Sequence, residues 1–290
     1  MEFPFSRSYS DTEQQNHVKQ AIDGNKESLN EIISYHQPFI YNVAWKMCHN
    51  PLDAQDLTQE VLIKVITKLG QFNFKSKFRT WLYRIVVNEF LQSKRRKGET
   101  QFSDFDDYGE RLDQVPNPEL SIEEEISYQE LSKEMQIQCM SGMIMCLNRE
   151  QRLIFILGAS FGIDHTLGAD LFGISKQNFR IKLHRARKDL FSYMNDKCGL
   201  VNKENPCRCP KKAKALKEMG VLDEKKMLFN LKTKTKVKDF AEENHEEALD
   251  DFTTTYIKLF QEHPIKDDFD KDTIIKELIN NDKLSSYFRL

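Results

Sequence analysis

The chain has 290 residues, 39% of them hydrophobic, with 43 Lys and Arg against 45 Asp and Glu, so a net charge of -2 says nothing about a polyanionic partner until the charges are located. No apolar run reaches the length of a membrane-spanning helix, and Met1-Glu2-Phe3-Pro4 lacks the basic start and apolar stretch of a secretory signal; a soluble, cytoplasmic chain with no membrane partner is expected. Six cysteines in a chain this long exclude a disulfide scaffold and leave thiols or metal ligands.

Apolar residues recur at three- and four-residue spacing from Gln14 to Leu91, as in Leu57, Val61, Val65 and Leu62, Ile66, Leu69, with no run of alternating strand residues between them. The spacing predicts helices and an all-α protein, with a first domain over 14–97. Pro51-Leu52-Asp53-Ala54-Gln55-Asp56 reads as a helix start, with Asp53 placed to cap free amides. Asp53, Asp56 and Glu60 then share one face, either as a solvated surface or as a docking surface for a basic partner. An acid/base pair for hydrolysis lacks any convergent cluster of catalytic types nearby.

From Phe72 to Lys97 the balance reverses: Lys75, Lys77, Arg79, Arg84, Lys94, Arg95, Arg96 and Lys97 stand against Glu89, a net of +7. Phe72, Phe74, Phe78, Trp81, Tyr83 and Phe90 lie among them. Basic side chains follow phosphates while aromatic faces stack on unpaired bases, a combination suited to single-stranded nucleic acid. Trp81, Leu82, Ile85 and Phe90 also fit a plain core stripe.

Gly98, Gly109, Pro116 and Pro118 among Ser and Asp suit a flexible connection, and 104–134 carries eleven acids against Arg111 and Lys133. An acidic linker is therefore expected over 98–134. Helical periodicity returns over 135–195, broken by Gly162 and by Phe172-Gly173-Ile174-Ser175, which gives helix, turn, helix. Gly168 in the first of these helices costs up to about 1 kcal/mol relative to Ala. In the second, Ser175 is the expected N-cap; Phe179, Leu183 and Ala186 face inward, leaving Lys176, Gln177, Asn178, Arg180, Lys182 and Arg185, with Arg187 beyond, toward DNA. His184 on this basic helix is assigned no chemistry.

The remaining segment, 196–290, is read as a partly helical extension containing Cys198, Cys207 and Cys209. These three thiols hold zinc only if a fourth ligand comes from elsewhere, with Cys146, His184 and His165 as candidates; nothing else in the chain requires a cofactor. Lys211, Lys212, Lys214 and Lys217 follow, either extending a DNA contact or forming a solvated face.

Two stretches carry a family resemblance. Asp53 to Val61, then Phe78-Arg79-Thr80-Trp81-Leu82-Tyr83-Arg84-Ile85 with Asn88 and Lys94-Arg95-Arg96, resembles conserved region 2 of the extracytoplasmic-function sigma factors. Leu147-Asn148-Arg149-Glu150-Gln151-Arg152, Leu171 to Ser175 and Leu183-His184-Arg185-Ala186-Arg187 resemble sigma region 4, with Leu167-Gly168-Ala169 where the family usually has Glu-Ile-Ala. The resemblance covers about 14–195. It implies that Asp53, Asp56, Gln59 and Glu60 dock core RNA polymerase. Lys75, Lys77, Arg79, Tyr83, Arg84, Asn88, Lys94, Arg95 and Arg96 would meet the minus-ten element of promoter DNA. Ser175, Lys176, Gln177, Asn178, Arg180, Lys182, Arg185 and Arg187 would read the minus-thirty-five element. An anti-sigma partner is a further implication, and no catalysis is expected. A stand-alone helix-turn-helix repressor explains 147–194 but leaves the first stretch idle.

Overall fold

A computed structural model describes residues 9–94, 99, 104–223, 225, 257–266 and 269–279. The described residues contain helices and no strand; a single bridge joins Cys198 to Cys207. Each start has a local cause. Ser10 caps α1 (Asp11–Ile22), Asn25 caps α2 (Lys26–Cys48), and Asn50 caps α3 (Pro51–Lys68) by accepting from the amides of Leu52 and Asp53. Asp53 is thus a first-turn residue favoured by the helix dipole, not the cap. One 3-10 turn, Leu69–Gln71, and an exposed loop lead to α4 (Phe78–Gln92).

Residues 36 to 48 of α2 are buried on every side, as expected of a helix at the centre of a bundle. It packs on α1 and α3 from its own half of the chain. It also packs on α7 (Gln129–Cys146), α8 (Arg149–Phe155) and the π-turn Ile156–Ser160 from the other half. A continuous hydrophobic core consequently runs from Val18 through Trp45 and Phe90 to Phe155, Phe179 and Leu190.

Arg152 ties the two halves. Its guanidinium donates to the carbonyls of Met47 at the end of α2, and of Met145 and Leu147 at the end of α7, and pairs with the buried Glu99 at 3.2 Å. Arg149 reaches the same Glu99 and the Ser93 carbonyl and hydroxyl.

The expected flexible connection is partly ordered. It contains α5 (Phe105–Gln114) and α6 (Ile122–Ser127), the latter opened by a reciprocal Ser121–Glu124 capping box. Gly142 on α7 leaves room for the Tyr108 ring, whose hydroxyl donates to the Cys139 carbonyl at 3.0 Å; a Cβ at 142 would lie 2.7 Å from that ring. The linker acids find partners in the extension: Glu119 pairs with Lys211 and Glu124 with Lys214, both at 2.8 Å, on α11 (Cys209–Glu218). The Lys211–Lys217 run therefore faces the linker. Lys212 donates to the carbonyls of Leu112 and Val115, and Lys217 lies over the Tyr128 ring.

Residues 257–266 and 269–279 return to the bundle, the latter ending in α12 (Lys271–Ile279). Phe269 stacks on Tyr41 at 3.8 Å, and Asn42 exchanges hydrogen bonds with the backbone of Lys266. Lys46 Nζ lies 2.6 Å from His263 Nδ1, and His263 Nε2 lies 2.9 Å from Ser141 Oγ, which donates to the Ile137 carbonyl. Burial holds the Lys46 ammonium down to about 7 and pushes the His263 imidazole well below its ordinary range, with the Lys46 charge adding to the second effect. Neutral His263 with its proton on Nε2 accounts for both contacts.

Candidate nucleic-acid interface

On α3, Asp56 and Glu60 are exposed, Asp53 and Gln59 half-buried, and Ala54, Leu57, Thr58 and Val61 buried. Leu52 is 74% exposed at the start of this face. An apolar side chain beside first-turn acids makes a mixed surface of the kind a protein partner covers, with charge for orientation and apolar area for affinity.

The basic–aromatic stretch divides. Phe72, Phe78, Tyr83 and Phe90 are core residues, and Trp81 is half-buried between Phe72 and Phe78. Tyr83, expected at the DNA surface, is 1% exposed: its ring packs on Phe39 and its hydroxyl lies 3.1 Å from His36 Nδ1. That position is corrected to the core, where residue period along α4 could not distinguish an inward tyrosine from an outward one.

Phe74, counted in the basic–aromatic stretch but not among the residues named for the minus-ten element, does reach the surface. It is 37% exposed at the tip of the loop between the 3-10 turn and α4, with φ 59, a backbone region that costs a non-glycine residue energy. Its ring touches Phe72 at 4.7 Å and lies under Lys19. The positive φ is the signal no sequence pattern showed.

Lys75 and Lys77 follow Phe74 in this loop and are exposed, as are Asn88 and Lys94 on and after α4. Lys77 and Arg79 are drawn to Asp11, at 3.4 and 3.6 Å, and the Arg79 guanidinium sits 5.0 Å over Tyr9. Arg84 Nε donates to the Asp170 carbonyl at 2.7 Å, and its Nη2 meets the same residue's carboxylate. Arg95 and Arg96 lie outside the described residues.

In the second half, Asp164 caps α9 (His165–Phe172) and Ser175 caps α10 (Lys176–Lys197), with Gly173 at φ 65 turning the chain between them. Phe179, Leu183 and Ala186 are buried, and Lys176, Gln177, Asn178, Arg180 and Arg185 are exposed together. Lys182 is half-buried and bound to Glu150 at 2.6 Å; Arg187 is also half-buried. Ser175 serves its backbone, donating geometry to the helix start by accepting from Asn178 N.

The two surfaces sit in a closed arrangement. α9 packs along α4, with the Arg84–Asp170 contact at its rim. The expected thiol cluster is less convergent: among the described residues no group of three His, Cys, Asp or Glu side chains is gathered to hold a metal ion. No helix of the described residues is long and apolar enough to cross a membrane.

Comparison with known proteins bears on residues 32–100, which match the family description Sigma-70 region 2. The chain is 30% identical over 169 residues to ECF RNA polymerase sigma factor SigE of Mycolicibacterium smegmatis, covering 58% of this chain and 62% of that protein. It is 24% identical over 183 residues to ECF RNA polymerase sigma factor SigW of Bacillus subtilis, covering 62% of this chain and 95% of that one. A solved structure of CnrH in complex with the cytosolic domain of CnrY is 18% identical, with a TM-score of 0.44 over 63% of this chain and 97% of that chain. Region 2 is thus matched over 32–100, and over 58–62% of its length the chain is similar to extracytoplasmic-function sigma factors.

Proposed function

We propose that this chain binds core RNA polymerase through the exposed face of α3 and directs promoter recognition and opening, acting in the cytoplasm by binding alone. The observation that carries this reading is the division of labour on one chain: an acidic–apolar face on α3, an aromatic–basic loop at Phe74, and a basic face on α10. The loop offers a ring for an unpaired base with lysines for the adjoining phosphates. The α10 face offers Arg180, Gln177 and Asn178 to base edges in a major groove. An anti-sigma protein that covers one of these faces belongs to the same reading.

Because α9 packs on α4 in the free chain, the two DNA-facing elements must separate before they address promoter elements far apart. Differential binding of polymerase and DNA to the open form would drive that separation.

Reconstituted transcription with purified core polymerase on a library of promoter fragments tests the reading. Initiation from a defined subset only when this chain is added supports it. Site-specific DNA binding by the chain alone, without polymerase-dependent initiation, would favour a stand-alone repressor instead. Asp56→Ala is expected to weaken polymerase association, whereas Arg180→Ala weakens minus-thirty-five recognition with polymerase binding retained.

A further inference from the structure

We propose that Cys139, Cys198, Cys207 and Cys209 form one four-thiolate site for a single zinc ion that staples the extension to α7. The four cysteines line one small cavity of about 20 Å³, together with Met135 and Tyr193. A space of that size accommodates roughly one water-sized sphere. Cys139 comes from the middle of α7, Cys198 ends α10, and Cys207 and Cys209 lead into α11. The fourth ligand is therefore none of the three residues that spacing pointed to.

The backbone around the cavity is fixed independently of the sulfurs. Cys198 and Cys207 are bridge partners, and the Cys198 carbonyl accepts from the amides of Val201 and Asn202 at 3.2 and 3.0 Å. Asn205 Nδ2 ties the loop back to the Asn195 carbonyl at 2.7 Å. Gly199 is the residue this knuckle requires, since a Cβ there would lie 2.2 Å from the Cys207 carbonyl oxygen. Tyr108 Oη lies 3.0 Å from the Cys139 carbonyl and 3.2 Å from Cys139 Sγ, so its one proton can turn from the carbonyl to a thiolate.

Without an ion, ionisation of these thiols is opposed. Burial is the main cause that raises the Cys207 and Cys209 thiols, Cys209 to about 12, and each is raised further by its cysteine neighbours; Lys212 and Arg208 oppose this at Cys207. A divalent ion would supply the charge these crowded thiols need to ionise, releasing their protons to solvent. As placed, no three of these sulfurs stand at ligand spacing, so binding requires their side chains to rotate inward.

The need for a staple is visible in the packing. The satellite core that holds α11 on α7 consists of Leu131, Met135, Ala213 and Leu222, with Cys139 and Cys209 at its margin. So small a core supplies little hydrophobic stabilisation, the situation in which structural metal sites recur. Buried thiols that pack as small apolar groups are the competing outcome.

The test uses the full chain purified under reductant, with zinc measured by elemental analysis and cobalt(II) as spectroscopic probe. One ion per chain and the thiolate-to-cobalt charge-transfer bands of a tetrahedral sulfur site are expected. Cys139→Ser and Cys209→Ser should each lower cobalt affinity by more than about 100-fold, beyond the cost of losing an outer-shell partner. Cys48→Ser and Cys146→Ser should leave it unchanged, with helical circular dichroism verifying each variant. Absence of one-to-one binding in the reduced wild-type chain overturns the proposal, as does wild-type affinity in a folded Cys139→Ser chain. An iron–sulfur chromophore in anaerobically purified protein would overturn it as well.

Discussion

At the residue scale, Gly168 shows packing overruling propensity. Helix propensity alone makes Gly168→Ala stabilising by about 1 kcal/mol. In the structure the Phe179 ring occupies that space, and a Cβ at 168 would approach it to 2.3 Å. Gly168→Ala is expected instead to destabilise by about 1–3 kcal/mol, measured by urea unfolding. Arg152 is a second case, since its sequence motif gave no hint that it serves three helix-end carbonyls and a buried carboxylate at once. Arg152→Met takes the donor from three helix-end carbonyls and removes one of the two guanidiniums that pair with Glu99, and a loss of about 3–5 kcal/mol is expected. His36 adds a pH dependence: burial lowers its imidazole to about 3 beside the Tyr83 hydroxyl. The unfolded chain binds this proton near pH 6.5 and the folded chain only near 3, so stability falls as pH drops through that window. His36→Asn should flatten the decline in a series of unfolding curves; an unchanged slope would assign the acid sensitivity to other groups.

At the scale of elements, helix starts decide where the functional faces point. Asn50, one turn before the first acidic residues, fixes the phase of α3, and Ser175 fixes that of α10. Asn50→Ala and Ser175→Ala are each expected to cost about 1 kcal/mol. The second should also reduce promoter binding more than polymerase binding, which a paired gel-shift and core-association assay would separate. The 73–77 loop works differently, because its exposed ring depends on a strained backbone position held between two regular turns.

Across the described residues, the half-chains share a core, and residues 257–266 and 269–279 lie against it. The Tyr41–Phe269 stack is the part of this contact most open to measurement. A double-mutant cycle with Tyr41→Ala and Phe269→Ala should give a coupling of about 0.5–1.5 kcal/mol. Zero coupling would mean that the extension does not hold this position in solution.

Read by itself, the chain determined the all-helical class, the order of its two signatures, the N-cap Ser175 and the exposure of Lys176, Gln177, Asn178, Arg180 and Arg185 on α10, though not the half-burial of Lys182 and Arg187, because caps and apolar spacing are local. Arg79, Arg84 and the acids of the linker were legible as charges, but their partners Asp11, Asp170, Lys211 and Lys214 were not, since nothing in local spacing couples positions so far apart. Tertiary structure alone decided that Tyr83 is core, that Phe74 is exposed, and that Cys139 joins the three later cysteines around one cavity. In each case the outcome depends on which surface an element buries, and that is set by the shape of its neighbours and not by its own sequence.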